Sequence, residues 1–179
     1  MLRPRYELCS SIRLWVESPP LVQPYKNHKC ESRVKVWPSS IIGLGLGLFA
    51  RKDIKYKQVV CMYSGTKWVK GKGSRYMVQG YWRNPETGCT ETWYLDAASL
   101  QSAVGRWAND ACDYDGVDQC FRTGRVNNIA FRLTIKNKKH PVYKQWCLEM
   151  YALEDISAGS ELFVRYGVEF WSNFIINMS

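Results

Sequence analysis

Long apolar runs are missing from this chain of 179 residues. No stretch reaches the roughly 18 consecutive apolar residues that a membrane-spanning helix needs. The N-terminus, with Arg3, Arg5 and Glu7, lacks the apolar centre of a secretory signal. The sequence therefore predicts a soluble, non-secreted protein with no membrane partner. Because 46% of the residues are hydrophobic, the length suffices for one sizeable core, and a single domain is expected.

Closely spaced metal-ligand pairs are missing as well. The seven cysteines are widely spread, without a C-x-x-C pair, and the two histidines do not form a pair at ligand spacing. An odd number of scattered cysteines is typical of reduced thiols in the cytosol or nucleus. We therefore expect no bound metal, and we interpret the cysteines as ordinary core or surface residues.

Helical periodicity is scarce, and short β-rich runs separated by Gly, Pro and Asn take its place. This pattern predicts a mostly-β fold that is α+β only through minor helices. The predicted strands are residues 12–16, 34–37, 47–50, 59–63, 76–81, 92–95, 128–135, 146–152 and 161–166. Helical patterns are confined to residues 102–108 and 168–175.

The domain boundaries follow from the same pattern. Residues 1–32, which include Pro19, Pro20 and Pro24, are expected to form an irregular N-terminal extension. Residues 33–171 would form the domain itself. Residues 172–179 would form a C-terminal tail.

The net charge of +9 is unevenly distributed. Between residues 51 and 83, the Lys and Arg residues face Asp53 alone, and residues 122–144 form a second basic block without an acid. Between residues 86 and 118 the acids dominate, with Arg106 as the only strong base. This segregation would allow a positive face for nucleic acid and a separate acidic groove for a cationic substrate. Ordinary solvated charge on loops is the alternative.

A glycine cluster, Gly43-Leu44-Gly45-Leu46-Gly47, admits three interpretations. A dinucleotide-binding turn would have to open a helix and be followed by an acid about twenty positions on. Neither condition holds, because a β-rich run follows and the next acid after Asp53 is Glu86. The glycines could ease a tight β-arch. Alternatively, they could form a turn whose bare backbone lets a ligand approach.

A ligand-binding turn gains weight from the motifs further along the chain. Downstream of the glycines come Phe49-Ala50, Ile54, Tyr63-Ser64-Gly65, Tyr94-Leu95-Asp96-Ala97 and Gly105-Arg106-Trp107-Ala108-Asn109-Asp110-Ala111-Cys112. They are followed by Asn127-Asn128-Ile129, Asp155-Ile156, Gly159-Ser160-Glu161-Leu162 and Tyr166-Gly167. In this order, over about residues 33–171, the motifs resemble the SET domain, the protein-lysine methyltransferase fold.

The resemblance implies a fold of small curved sheets, a β-clip, with a pseudoknot near the C-terminus formed by the segments of Asn109 and Asn128. It also implies S-adenosylmethionine as cofactor, S-adenosylhomocysteine as product, and no metal. The residues implied to contact the cofactor are Gly45, Leu46 and Gly47 through their backbone, Asn109 and Asp110 at its adenine and amino-acid portions, and Tyr76 near its carboxylate. Trp171 would close over the adenine, or would simply pack on a helix.

Tyr166 is the catalytic residue that the resemblance implies, with Tyr63 lining the lysine channel. Its hydroxyl would lie beside the reacting methyl group and would help to position the sulfonium and the amine. A buried tyrosine hydroxyl can accept a hydrogen bond from the amine while its ring excludes water. Such a channel also favours loss of the proton that a lysine carries at neutral pH.

The expected function is S-adenosylmethionine-dependent methylation of a protein lysine, on a histone or nucleosome, in the nucleus or alternatively the cytosol. The basic faces could contact DNA. The family's frequent His is Asp110 here, and Val164 and Arg165 also depart from its pattern, so the number of methyl groups added is left open. Two alternatives are a non-catalytic SET- or PR-like module that binds peptide or DNA, and a basic nucleic-acid-binding domain with aromatic platforms.

Overall fold

The computed structural model describes residues 11–13, 29–63, 67–68, 76–83, 87–98, 103–111, 125–136 and 145–166. The strands are β1 (Ser11–Arg13), β2 (Val34–Pro38), β3 (Leu46–Ala50), β4 (Val59–Tyr63), β5 (Lys67–Trp68), β6 (Met77–Arg83), β7 (Thr90–Asp96), β8 (Ile129–Lys136), β9 (Gln145–Ala152) and β10 (Glu161–Leu162). Two 3₁₀ helices span Lys29–Arg33 and Val104–Trp107. In these ranges, no helix is long and apolar enough to cross a membrane.

Within the described residues, the strands form three small sheets, with the orders β1-β6-β7-β5, β10-β3-β2 and β4-β9-β8. All pairs of these strands are antiparallel except β1 with β6. Alternate residues of a strand face opposite sides of its sheet, so Leu48 and Ala50 of β3 and Leu148 and Met150 of β9 all point into one core. Each of these four side chains is at most 2% exposed.

Turns outside the strands tie the sheets together. Ile54 and Ile156, which are 102 positions apart in the sequence, form an isolated antiparallel bridge with reciprocal N–H···O bonds of 2.8 Å. Both side chains are buried. Beside the bridge, Lys55 Nζ lies 2.8 Å from Asp155 Oδ2 on the surface. The two motifs that contain these isoleucines are therefore parts of one local structure.

The second 3₁₀ helix packs directly on the β4-β9-β8 sheet through Gly105. A β-carbon at this position would lie 2.5 Å from the Met62 carbonyl oxygen and 2.8 Å from the Met150 sulfur. Glycine is therefore required by the close approach of the helix to the backbone of β4. The helix leads into Ala108 and Asn109, so this packing also sets the position of the Asn109 segment.

Gly105→Ala is expected to lower the free energy of unfolding by about 2 kcal/mol, because the added methyl group overlaps a backbone atom that cannot rotate away. Urea unfolding followed by tryptophan fluorescence would measure the change. An unchanged midpoint would show that the helix does not approach β4 this closely.

The predicted fold class is confirmed, since the described chain is mostly strand in small sheets. The strand predicted at 59–63 is found with those ends, and the strands predicted at 34–37, 47–50, 76–81, 92–95, 128–135 and 146–152 are found with ends shifted by one or two residues. Of the strand predicted at 12–16, residues 14–16 lie outside the described residues. The helical pattern at 102–108 shortens to the four-residue 3₁₀ helix Val104–Trp107. The strand predicted at 161–166 contains only the two residues of β10. β5 and the first 3₁₀ helix were not predicted. The helical pattern at 168–175, which includes Trp171, lies outside the described residues.

Candidate functional site

The C-terminal segment that follows β10 lies between two other parts of the chain. On one side, Phe163 and Asn109 form a parallel bridge, and Val164 N–H donates to the Asn109 carbonyl at 2.8 Å. On the other side, Ile129 bridges Val164, and the N–H groups of Asn128 and Ile129 both donate to the Phe163 carbonyl at 3.1 Å. The segments that contain Asn109 and Asn128 thus flank the segment that leads to Tyr166.

The side chain of Asn128 reinforces this crossing. Its Nδ2 donates to the Glu161 carbonyl at 3.0 Å, and its Oδ1 accepts from Phe163 N–H at 2.9 Å. The Asn128 amide therefore supplies one donor and one acceptor to the backbone, as a neighbouring strand would. It bonds Glu161 of the short strand β10 and Phe163, the first residue after that strand.

The glycine cluster forms the turn between β2 and β3. Gly43 and Gly45 have φ angles of 89° and 74°, and a β-carbon at either position would meet no atom within 4 Å. Asn109 Nδ2 donates to the Leu46 carbonyl at 3.0 Å. The exposed backbone of this turn and the Asn109 side chain therefore lie together.

Tyr166 contacts both chain neighbours of Asn109. Its hydroxyl donates to the Ala108 carbonyl at 2.8 Å, and its backbone N–H donates to Asp110 Oδ2 at 2.7 Å. Asp110 is 2% exposed. Its carboxylate therefore holds the backbone of Tyr166 while Ala108 holds the hydroxyl, so that both ends of the tyrosine are fixed.

Tyr63, at the end of β4, is the second tyrosine of the site, and it is buried. Its hydroxyl donates to the Tyr76 carbonyl at 2.6 Å, and its ring meets Phe131 edge-to-face at a centroid distance of 5.2 Å. The Arg106 guanidinium lies 5.0 Å from the Tyr76 ring and 4.6 Å from the Trp107 ring. Arg106 also donates to the Ala98 carbonyl at 2.9 Å.

Both tyrosines remain protonated well beyond neutral pH. Burial raises the pKa of Tyr63 far above its ordinary value, and nearby Tyr166 and Asp96 raise it further. Burial likewise raises the pKa of Tyr166, followed by the negative charge of Asp110. Neither hydroxyl can therefore serve as an ionised base near pH 7. Each can donate one hydrogen bond and accept others.

Stability at high pH should reveal these raised pKa values. The stabilisation from each neutral tyrosine is fully present below the ordinary pKa of 10.0 and is lost as the pH rises towards the higher folded value. Each tyrosine then contributes a slope of up to about 1.4 kcal/mol per pH unit. Urea unfolding of the wild type and of Tyr63→Phe above pH 10 should give the shallower decline in the variant; equal slopes would contradict the burial of the Tyr63 hydroxyl.

Most of the predicted site residues lie along one connected path. Asn109 contacts Leu46, Gly47 lies against Glu161, Asp110 contacts Tyr166, and Tyr63 contacts Tyr76. Trp171 lies outside the described residues. The roles assigned to all these side chains remain predictions. In the described part of the chain, no group of three or more His, Cys, Asp or Glu side chains could hold a metal ion.

Sequence reasoning did not identify Glu161, Ser39, Ser40 and Arg106 as site residues. The resemblance includes Glu161 only as part of the Gly159-Ser160-Glu161-Leu162 motif, although its carboxylate accepts hydrogen bonds from Ser39 and Ser40. Its partners lie more than a hundred positions away in the sequence, so no local pattern links them.

Comparisons with known proteins agree with this architecture. The model of the SET domain family matches residues 45–167. No curated protein matches the chain. Among solved structures, ctPRC2 in an autoinhibited conformation bound to S-adenosylmethionine matches with a TM-score of 0.50 and 23% identity, over 80% of this chain and 16% of that chain.

Two further structures give similar values. The crystal structure of the Chaetomium thermophilum polycomb repressive complex 2 has a TM-score of 0.51 and 24% identity, over 76% of this chain and 15% of that chain. An active polycomb repressive complex 2 in the stimulated state has a TM-score of 0.50 and 24% identity, over 75% and 15%. At these identities the similarity shows a shared fold, and this chain spans about a sixth of those chains or less.

Proposed function

This chain belongs to the SET domain family, and from that premise we propose that it transfers the methyl group of S-adenosylmethionine to the side-chain nitrogen of a protein lysine. The observation that carries the proposal is the protonated hydroxyl of Tyr166, which the Ala108 carbonyl fixes by a hydrogen bond. Asn109, the residue after Ala108, contacts the glycine turn at Leu46. Methyl transfer requires alignment of two reactants and exclusion of water rather than an ionised base. A neutral tyrosine at a buried crossing of three segments suits that requirement.

The residues fit the cofactor chemically. S-adenosylmethionine carries an ammonium group and a carboxylate, and when bound it supplies the electrophilic methyl on its sulfonium. Asn109 Nδ2 is occupied by the Leu46 carbonyl, and among the described residues no donor reaches its Oδ1. That oxygen can accept from an ammonium group. Gly43 and Gly45 leave room for a ligand against the backbone of the turn.

The two tyrosines would orient and shield the lysine. The Tyr166 oxygen can accept a hydrogen bond from the neutral amine, and thereby aim the nitrogen lone pair along the line of displacement. The edge-to-face rings of Tyr63 and Phe131 provide an apolar wall that disfavours the charged form of the amine. The proton of the incoming ammonium would leave to solvent before transfer.

Negative charge beside the tyrosines supports a cationic substrate. Asp96 acts on Tyr63 and Asp110 acts on Tyr166 closely enough to raise their pKa values. Carboxylates at these positions attract an approaching ammonium group. We propose a lysine of a histone, within a nucleosome and in the nucleus, with the basic blocks of the chain contacting DNA.

Transfer of labelled methyl groups from S-adenosylmethionine tests the proposal. Core histones, nucleosomes and a non-histone lysate would be offered separately, and cofactor affinity would be measured in parallel by calorimetry. Label on a histone band supports the full proposal, whereas label only on lysate proteins supports lysine methylation and rejects the histone. Stronger labelling of nucleosomes than of free histones, lost at high salt, supports the DNA contact.

The same experiment separates the enzyme from a non-catalytic module. If the protein does not bind S-adenosylmethionine and transfers no label, the methyltransferase proposal is wrong. Salt-sensitive retention on DNA or on a histone peptide under those conditions would instead identify the SET- or PR-like binding module.

A further inference from the structure

A buried carboxylate lies directly beneath the glycine turn. Glu161, in β10, is 8% exposed. Its Oε1 accepts from Ser39 Oγ at 2.7 Å, and its Oε2 accepts from Ser40 N–H at 2.8 Å and Ser40 Oγ at 2.6 Å. The Asn109 side chain reaches the same group, with Nδ2 at 3.5 Å from Oε1. Four donors thus converge on one carboxylate from the loop after β2 and from the asparagine segment.

The backbone around Glu161 holds this carboxylate in place. Asn128 Nδ2 bonds the Glu161 carbonyl, and β10 pairs with β3 so that Glu161 lies opposite Phe49. Gly47 lies against the carboxylate so closely that a β-carbon there would overlap Glu161 Oε1. The Ser39 oxygen also accepts from Ile41 N–H at 3.1 Å, so its own proton is directed to Glu161.

The fixed carboxylate of Glu161 affects the orientation of the Asn109 side-chain amide. Its Nδ2 carries two protons, and the acceptors near them are the Leu46 carbonyl and Glu161 Oε1. Because a carbonyl and a carboxylate can only accept, they favour the amide orientation that keeps Nδ2 on their side and Oδ1 on the other. Without the Glu161 carboxylate, only one of the two acceptors that favour this orientation, the Leu46 carbonyl, is left.

We propose that Glu161 is a positioning residue, which orients the Asn109 amide and fixes the Ser39–Ser40 turn so that the cofactor site is preformed. The inference rests on the proposed function, in which Asn109 Oδ1 accepts from the cofactor's ammonium group. Glu161 acts through Asn109 and the turn, and no part of it is required to touch the cofactor.

A glutamine cannot replace this carboxylate. Ser40 N–H and Asn109 Nδ2 are obligate donors, and they approach different oxygens of Glu161. The amide of Gln offers only one acceptor oxygen, so its NH₂ group would face one of these donors. Glu161→Gln preserves size and shape, and therefore isolates the second acceptor.

The test measures cofactor binding, turnover and stability together. Glu161→Gln is expected to weaken S-adenosylmethionine binding by about tenfold to a hundredfold, the effect of one misdirected buried donor. The KM for the cofactor should rise similarly, while kcat changes by less than about threefold because the tyrosines are untouched. The matched control is Glu149→Gln, which alters another buried carboxylate (6% exposed) that pairs with Arg132. It should leave cofactor affinity unchanged.

Each outcome separates the two proposals. If the wild type binds no cofactor in calorimetry, the proposed function fails and this inference fails with it. If the wild type binds and Glu161→Gln binds equally well, or loses kcat with an unchanged KM, only the positioning role is wrong. Should Glu161→Gln not fold, Ser39→Ala with Ser40→Ala loosens the carboxylate from the turn, and an affinity loss of about threefold or more is expected; wild-type affinity would overturn the role.

Discussion

Tyr166→Phe is expected to lower kcat for methyl transfer by at least about a hundredfold, the usual cost of removing one preorganised polar contact at a reacting centre. The hydroxyl is fixed by its hydrogen bond to the Ala108 carbonyl. In the proposed mechanism it is also the group that orients the lysine nitrogen. Phenylalanine keeps the ring and the exclusion of water, so the loss should fall on alignment alone.

Cofactor affinity should change little in this variant. Tyr166 N–H, not its hydroxyl, contacts Asp110, and Phe retains that bond. The unpaired Ala108 carbonyl should lower the free energy of unfolding by about 1 kcal/mol, which leaves the protein folded. Single-turnover methyl transfer and calorimetric titration of S-adenosylmethionine would measure both quantities.

The matched control for Tyr166→Phe is Tyr56→Phe, because Tyr56 is 55% exposed on the surface. This variant should retain wild-type rate and affinity. Wild-type kcat in Tyr166→Phe would remove the hydroxyl from the mechanism. A parallel fall in cofactor affinity of about a hundredfold would instead indicate that the ring position, rather than the hydroxyl, had changed.

The strands could be predicted because their alternation is local. Val34, Leu48 and Leu148 each lie in a short run with apolar residues on one face, and each is buried in the common core. The strand predicted at 161–166 failed for a physical reason. Beyond Leu162 the chain leaves the sheet and crosses between Asn109 and Ile129 through single bridges. Residues that favour β-strands occur both in paired strands and in a segment that crosses between two others through single bridges. Their presence alone therefore does not predict which of the two forms.

The site was predictable only where a motif is contiguous. Asn109 and Asp110 were expected near the glycine turn, and Asn109 does bond Leu46. The substitution of Asp for the family's frequent His at position 110 left its contact open, and the structure gives it the backbone N–H of Tyr166. Glu161 with Ser39 and Ser40 could not be foreseen, because hydrogen bonds over 121 or 122 positions depend on the assembled fold.

Asn128→Ala is expected to destabilise the protein by about 3 kcal/mol, the largest stability effect predicted for a single side chain here. It removes both bonds of the Asn128 amide, and leaves the Glu161 carbonyl and the Phe163 N–H without those partners. Both residues are at most 8% exposed. Each buried polar group that loses its hydrogen-bond partner lowers the free energy of unfolding by roughly 1–3 kcal/mol. Urea unfolding would measure the sum.

Two variants test the role of the Asn128 amide. Asn128→Asp keeps an acceptor for Phe163 N–H but places a charged carboxylate oxygen against the Glu161 carbonyl, so it should destabilise the protein at least as much as Asn128→Ala. Asn127→Ala is the neighbouring control, since the amide oxygen of Asn127 accepts from Ala111 N–H at 3.0 Å. It should cost about 1 kcal/mol. Equal losses at positions 127 and 128 would contradict a special role for the crossing.

The same variant links the fold to the site. Asn128 holds the backbone of Glu161, Glu161 holds the Asn109 amide, and Asn109 contacts the glycine turn. If these contacts act in series, Asn128→Ala should weaken S-adenosylmethionine binding even under conditions where the variant is fully folded. Adding Glu161→Gln should then weaken binding by less than the sum of the two separate free-energy changes, because both substitutions act through one contact. Additive losses would show that Asn128 stabilises the crossing without orienting the site.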